Sequence, residues 1–204
     1  NYSKNVGSVI SISIDKFVYV FLTKSWEHSY KLSYSKKENV SSINQINHPI
    51  FRECLKYFKI YKGIELSSVA DIHSRGSGLG SSSSFTVCLI KILNKFLNIK
   101  MKDNEIANLA SEIEIKKCKK FIGKQDQFQA AFGGFNQFNF NSDGSVSANK
   151  IKINKNRFDL FKKKLVIYST GKFRKADKIL KDIPINSVKI KKNFNELTSL
   201  VKDF

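Results

Sequence analysis

Residues 71–93 read DIHSRGSGLGSSSSFTVCLIKIL, and this stretch decides the fold. Its second half continues into a run of apolar residues at Phe85, Cys88, Leu89, Ile92, Leu93, Phe96 and Leu97, the 3.6-residue period of an amphipathic helix. Immediately before it, Gly76, Gly78 and Gly80 alternate with Ser77 and Leu79, and Ser81, Ser82, Ser83 and Ser84 follow. Alternate glycines permit positive φ and close backbone approach. A helix start offers unpaired amides to an anion such as phosphate, and one of the serine hydroxyls is a candidate magnesium ligand. A flexible turn that merely caps the helix is the plainer alternative. The spacing is neither a Walker A loop, which needs Gly-Lys before Ser or Thr, nor the Gly-x-Gly-x-x-Gly of dinucleotide and protein-kinase loops.

Outward from this loop the pattern is mixed. Ile10, Ile12 and Ile14 alternate with serines and Val18, Val20 and Leu22 resume the period, predicting one long strand or hairpin arm. Residues 29–34 make a partner strand, 36–47 a polar loop, and 64–72 a further strand. Ile50, Phe51, Cys54, Leu55 and Phe58 mark a helix that tolerates Pro49 in its first turn. A second helix, capped near Asp103 or Asn104, carries Ile106, Leu109, Ala110 and Ile113 on one face. Gly133-Gly134 breaks the chain, and residues 135–140 and 146–153 flank Asp143-Gly144 as a hairpin. Residues 165–168 read as a buried strand, and helices follow over 174–181 and 187–201. The class is α+β, with no linker that would separate two domains.

The chain has 204 residues, 41% of them hydrophobic, enough for a core without disulfide or metal staples. No run approaches twenty apolar residues, which excludes a spanning helix of that kind. The net charge of +19 points to anionic partners, but 36 basic residues include only four arginines, Arg52, Arg75, Arg157 and Arg174. Nucleic-acid readers favour the bidentate Arg fork. The basic runs at Lys116–Lys120, Lys162–Lys164 and Lys189–Lys192 therefore read as solvated surfaces, and a nucleic-acid partner is disfavoured. Cys54, Cys88 and Cys118 have neither disulfide nor zinc spacing, which fits a reducing, cytoplasmic setting.

The Gly-Leu-Gly-Ser-Ser core followed by an apolar helix resembles the second motif of the GHMP kinases, small-molecule kinases acting on galactose, homoserine, mevalonate and phosphomevalonate. Two further stretches strengthen the resemblance: FIGKQDQFQAAFGGFNQFNF at 121–140, similar to the block with the family's catalytic aspartate, and STGKFRKADKIL at 169–180. Both are most similar to the sugar 1-kinase branch that phosphorylates D-glycero-D-manno-heptose 7-phosphate. The early IDKFVYV at 14–20 also fits.

The resemblance implies an N-terminal domain of the ribosomal protein S5 domain 2-like fold over residues 1–183, incomplete at its start. Residues 184–204 are then a helix leading into a truncated C-terminal domain. It implies ATP and Mg2+ as cofactors, a sugar phosphate as acceptor, and residues 76–84 as the phosphate-holding loop. Asp126 takes the position of the base that receives the sugar hydroxyl proton, and Lys124 that of a charge that compensates phosphate and keeps Asp126 ionised. Ser82 matches the serine that helps hold magnesium. Glu114 matches the acidic metal ligand, with Glu112 two residues away as the alternative. Gln125, Thr170, Gly171 and Arg174 fall on the substrate side. His73 and Arg75 read as loop residues, with Arg75 near the nucleotide phosphates or facing water. Trp26 reads as packing, with a place near adenine as the alternative. The family's first and third motifs are missing, and the chain opens at Asn1, so a central portion of a kinase is expected. A homodimer is compatible with this reading. Rival readings are a fucose- or galactose-type sugar kinase and a non-catalytic basic nucleic-acid-binding module.

Overall fold

The computed structural model describes residues 7–61, 63–72, 77–168 and 188–202. The elements run β1 (Gly7–Ile12), β2 (Val18–Lys24), β3 (Tyr30–Ser33), β4 (Lys37–Val40), α1 (Pro49–Tyr57), β5 (Ile64–Ala70), α2 (Ser81–Phe96) and α3 (Asp103–Glu112). They continue with a π-helical turn (Ile113–Lys117), α4 (Gln125–Phe132), β6 (Phe135–Phe140), β7 (Val146–Lys150), α5 (Lys155–Lys164) and α6 (Val188–Lys202). The α+β expectation holds. The chain divides into two compact units: one holds β1, β6, β7, α5 and α6, the other β2 to β5 with α1 to α4.

The first unit is a three-stranded antiparallel sheet in the order β1-β6-β7. β1 registers with β6 from Gly7 opposite Phe140 to Ile12 opposite Phe135. The β6–β7 hairpin turns where Asp143-Gly144 predicted: Gly144 has φ +85°, and the Ser145 amide donates to Asp143 Oδ1 at 2.8 Å. Phe138 is fully buried on the central strand.

The second unit carries a four-stranded sheet, β2-β5-β3-β4, in which only the β3–β5 pair is parallel. Alternation puts Val20, Tyr30, Leu32, Ile64 and Leu66 on its buried face. α2 packs on β2 with Val87, Leu89, Ile90 and Leu93, and α1 packs against α2 with Phe51, Cys54 and Leu55, all buried. α3 and α4 complete the core with Ile106, Ala107, Ala110, Phe128 and Ala131. Each such Leu, Ile or Phe contributes roughly 1.5–3 kcal/mol by leaving water. Gly63 is forced by close approach, since a Cβ there would lie 2.3 Å from the Glu27 carbonyl oxygen.

Four expectations need correction. The alternating run from Ile10 to Leu22 is not one strand: a break at residues 13–17 sends β1 and β2 into different sheets. The polar loop over 36–47 contains β4 and a 3-10 turn (Ile43–Gln45), because Glu38 on β4 anchors the chain by accepting from the Asn47 and His48 amides at 2.6 and 3.1 Å. Residues 165–168 form no strand and are exposed, Tyr168 by 84%; a four-residue apolar run does not by itself supply a pairing partner. Trp26 is fully exposed and is not part of the core among the described residues. The helix expected over 174–181 lies outside the described residues, whereas that over 187–201 is present as α6. No helix among the described residues is long and apolar enough to cross a membrane.

Candidate active site

The site is built on the start of α2. Gly80 is its N-cap, with φ +68° and ψ +18°, a left-handed conformation that a side chain would resist. Gly78 likewise has φ +73°. These two turns swing the chain so that the first α2 hydrogen bond is Ser84 N–H to the Gly80 carbonyl at 2.9 Å. An α-helix leaves its leading amides without internal partners, and their dipoles favour an anion by about 0.3–1 kcal/mol when exposed. Ser77 and Ser81 hydroxyls lie 3.0 Å apart and brace the loop.

Below the loop sits Glu114, fully buried in the π-helical turn after α3. The wide turn, closed by Cys118 N–H to the Ile113 carbonyl at 2.8 Å, aims its carboxylate at the α2 start. Oε1 accepts from Ser82 Oγ at 2.8 Å and from Lys120 Nζ at 2.6 Å. Oε2 accepts from Ser83 Oγ at 2.9 Å and from Gln127 Nε2 at 2.6 Å. Four donors on one carboxylate are what a buried charge requires. Lys120 Nζ also donates to Ser82 Oγ at 2.7 Å.

Asp126 lies in the first turn of α4, and its carboxyl flanks Gly80: a Cβ built on Gly80 would be 3.4 Å from Asp126 Cγ. Burial, then the like charge of Glu114, holds this carboxyl above the usual aspartate range, although the residue keeps a solvent-facing side. A carboxyl held above its usual range beside the leading amides of a helix is suited to accept a proton from an incoming hydroxyl.

The structure brings together Ser82 with Glu114, and Gly80 with Asp126. Glu112 is exposed, so of the two candidate acids Glu114 is the one facing Ser82. Ser83, expected on the phosphate side, donates to Glu114 instead. Lys124 precedes α4 and its carbonyl accepts from Phe128 N–H at 3.2 Å, while Gln125 opens the helix and is exposed. Gly76, His73, Arg75, Thr170, Gly171 and Arg174 lie outside the described residues. Lys120 and Gln127 are additions that sequence reasoning missed. The first stood in a basic run and the second beside the matched aspartate.

Hard oxygen donors, one carboxylate and one hydroxyl, suit Mg2+, which takes one or two carboxylates and completes its shell with water and phosphate oxygens. Ser82 and Glu114 fit that role in donor type. When bound, the ion would neutralise phosphate charge.

Residues 45–134 match the family described as "GHMP kinases N terminal domain". The chain is 31% identical over 189 residues to a D-glycero-alpha-D-manno-heptose 7-phosphate kinase of Campylobacter jejuni, covering 86% of this chain and 55% of that protein. It is similar to the crystal structure of a D-glycero-D-manno-heptose 1-phosphate kinase from Bacteriodes thetaiotaomicron, with a TM-score of 0.69 and 26% identity over 76% of this chain and 54% of that one. The mevalonate kinase of Methanococcus jannaschii shares the fold, with a TM-score of 0.67 at 22% identity over 97% of this chain and 65% of that one. The chain spans about half the length or less of the curated relatives it matches.

Proposed function

We propose that this chain is the ATP-binding part of a kinase that phosphorylates the anomeric hydroxyl of a sugar phosphate, D-glycero-D-manno-heptose 7-phosphate in the first instance. The observation that carries the reading is the Asp126 carboxyl set against the glycine-capped start of α2. Residues 76–84 hold the ATP phosphates on backbone amides and serine hydroxyls. The sugar hydroxyl oxygen attacks the γ-phosphorus, its proton passes to Asp126, and the bond to ADP breaks. Lys124 offsets charge on the transferring phosphoryl group, Ser82 and Glu114 hold magnesium, and Gln125, Thr170, Gly171 and Arg174 contact the sugar phosphate. The heptose assignment rests on similarity to the Campylobacter jejuni enzyme. A cytoplasmic setting accords with three free cysteines at Cys54, Cys88 and Cys118.

The test is phosphate transfer from ATP by the protein carrying this chain, on a panel of heptose 7-phosphate, galactose and fucose, with Asp126→Asn alongside. Loss of the base is expected to slow transfer by about 10²–10⁴-fold with ATP binding retained. Because burial and the charge of Glu114 raise the pKa of Asp126, so that ionisation is resisted in the folded state, Asp126→Asn should be at least as stable as wild type at neutral pH. Full transfer activity in the variant removes Asp126 from the role; preference for galactose or fucose reassigns the substrate.

A further inference from the structure

Glu114 has four donors, and they are not equivalent. Ser83 and Gln127 are buried, and Ser82 is fixed in the first turn of α2. Ser82 also reaches solvent, but only Lys120 is carried on a flexible four-carbon stem, which follows the π-helical turn and keeps a quarter of the side chain in solvent. Its ammonium lies 2.6 Å from Glu114 Oε1 and 2.7 Å from Ser82 Oγ. It therefore contacts both oxygens assigned above to magnesium. An ammonium has three donors and no acceptor, so it can satisfy these oxygens but cannot coordinate a metal. Two cations this close in a partly buried setting repel by several kcal/mol, on the order of 4 kcal/mol per pair of unit charges at 4 Å.

We infer that Lys120 is a resident cation that occupies the divalent-ion position between Ser82 and Glu114 in the nucleotide-free protein, and that a divalent ion enters only by displacing it. Displacement is feasible because the stem already reaches solvent while the other three donors stay in place. This rests on the reading of Ser82 and Glu114 as the cation-holding pair. It gives the chain a device that keeps the buried carboxylate paired when no metal is bound.

The experiment measures Mn2+ binding to the 204-residue chain without nucleotide, by electron paramagnetic resonance of the free ion, together with thermal melts at rising Mn2+. Four proteins are compared: wild type, Lys120→Met, Lys120→Gln and Lys119→Met. Lys120→Gln keeps a neutral donor for Glu114 and guards against misfolding, and Lys119→Met removes the same unit of charge one residue away. Both Lys120 variants should bind Mn2+ about tenfold tighter or more, equivalent to ~1.4 kcal/mol, and gain melting temperature with added ion. Wild type and Lys119→Met should change little. Equal affinity in all four, or an equal gain in Lys119→Met, overturns the displacement. Absence of Mn2+ binding in every protein, with and without ATP, overturns both it and the assignment of the pair.

Discussion

Gly80 and Asp126 share one small gap: a methyl group on Gly80 would sit 3.4 Å from Asp126 Cβ and Cγ and 3.5 Å from Oδ2. Those are ordinary van der Waals distances, so crowding alone does not forbid a side chain. The backbone does more, because φ +68° costs an L-residue about 1–2 kcal/mol. Gly80→Ala should therefore lose about 1–2 kcal/mol of stability in urea denaturation. It should also lower phosphate transfer beyond that loss, because the methyl fills the space between the α2 amides and the carboxyl. A variant that is destabilised yet transfers phosphate at the wild-type rate would show that the gap is not part of the reaction path.

Glu114 has a structural role beside the one proposed for it in holding magnesium. Its carboxylate ties α2, the π-helical turn, the Lys120 segment and α4 together through four side chains. Truncation to alanine leaves the buried Ser83 and Gln127 donors unpaired and opens a cavity beside them. Breaking a buried ion pair costs about 3–5 kcal/mol, and Lys120 can recover some hydration through its exposed quarter, so about 3 kcal/mol is expected for Glu114→Ala. Glu114→Gln preserves shape and should cost less. Denaturant midpoints of the two variants check the order; an alanine variant as stable as wild type would show that the network carries no net stability.

How much of this was legible in the sequence follows from how local each signal is. The helix after the serines, the capping glycines and the hairpin at Asp143-Gly144 are written in neighbouring residues, and they stand where the pattern put them. The choice between Glu112 and Glu114 was not legible, because it depends on a π-helical turn that rotates one of them inward, and no simple period announces such a turn. Lys120 was hidden for another reason. In a chain with 36 basic residues a lysine in a run with three others looks like solvent-facing charge, and only its approach to a buried acid distinguishes it. α5 was missed because Phe158, Leu160 and Phe161 are its only large apolar residues and none of its residues is buried.

His48 gives the fold a pH dependence that the sequence did not announce. It caps α1, with Nδ1 accepting from Phe51 N–H at 3.4 Å, and its ring packs edge-on against Tyr34, Phe51 and Phe85 at 4.7 to 5.4 Å. Burial pushes its pKa down to about 4, helped by the positive charge of Lys120 and opposed by Glu38, whose carboxylate accepts from the Tyr34 hydroxyl and the His48 amide. In the unfolded chain the imidazole titrates near 6.5. Between these values the unfolded chain binds the proton that the folded protein refuses, so the contribution is fully present above 6.5 and is lost as pH falls towards 4. A depression of this size corresponds to about 3 kcal/mol. His48→Asn keeps a capping acceptor and removes the titration. Urea denaturation at pH 7.5, 6 and 5 should show wild-type stability falling faster than that of His48→Asn over this range. Parallel slopes would mean that the imidazole takes up its proton equally in the folded and unfolded chain, so that burial does not oppose its charge.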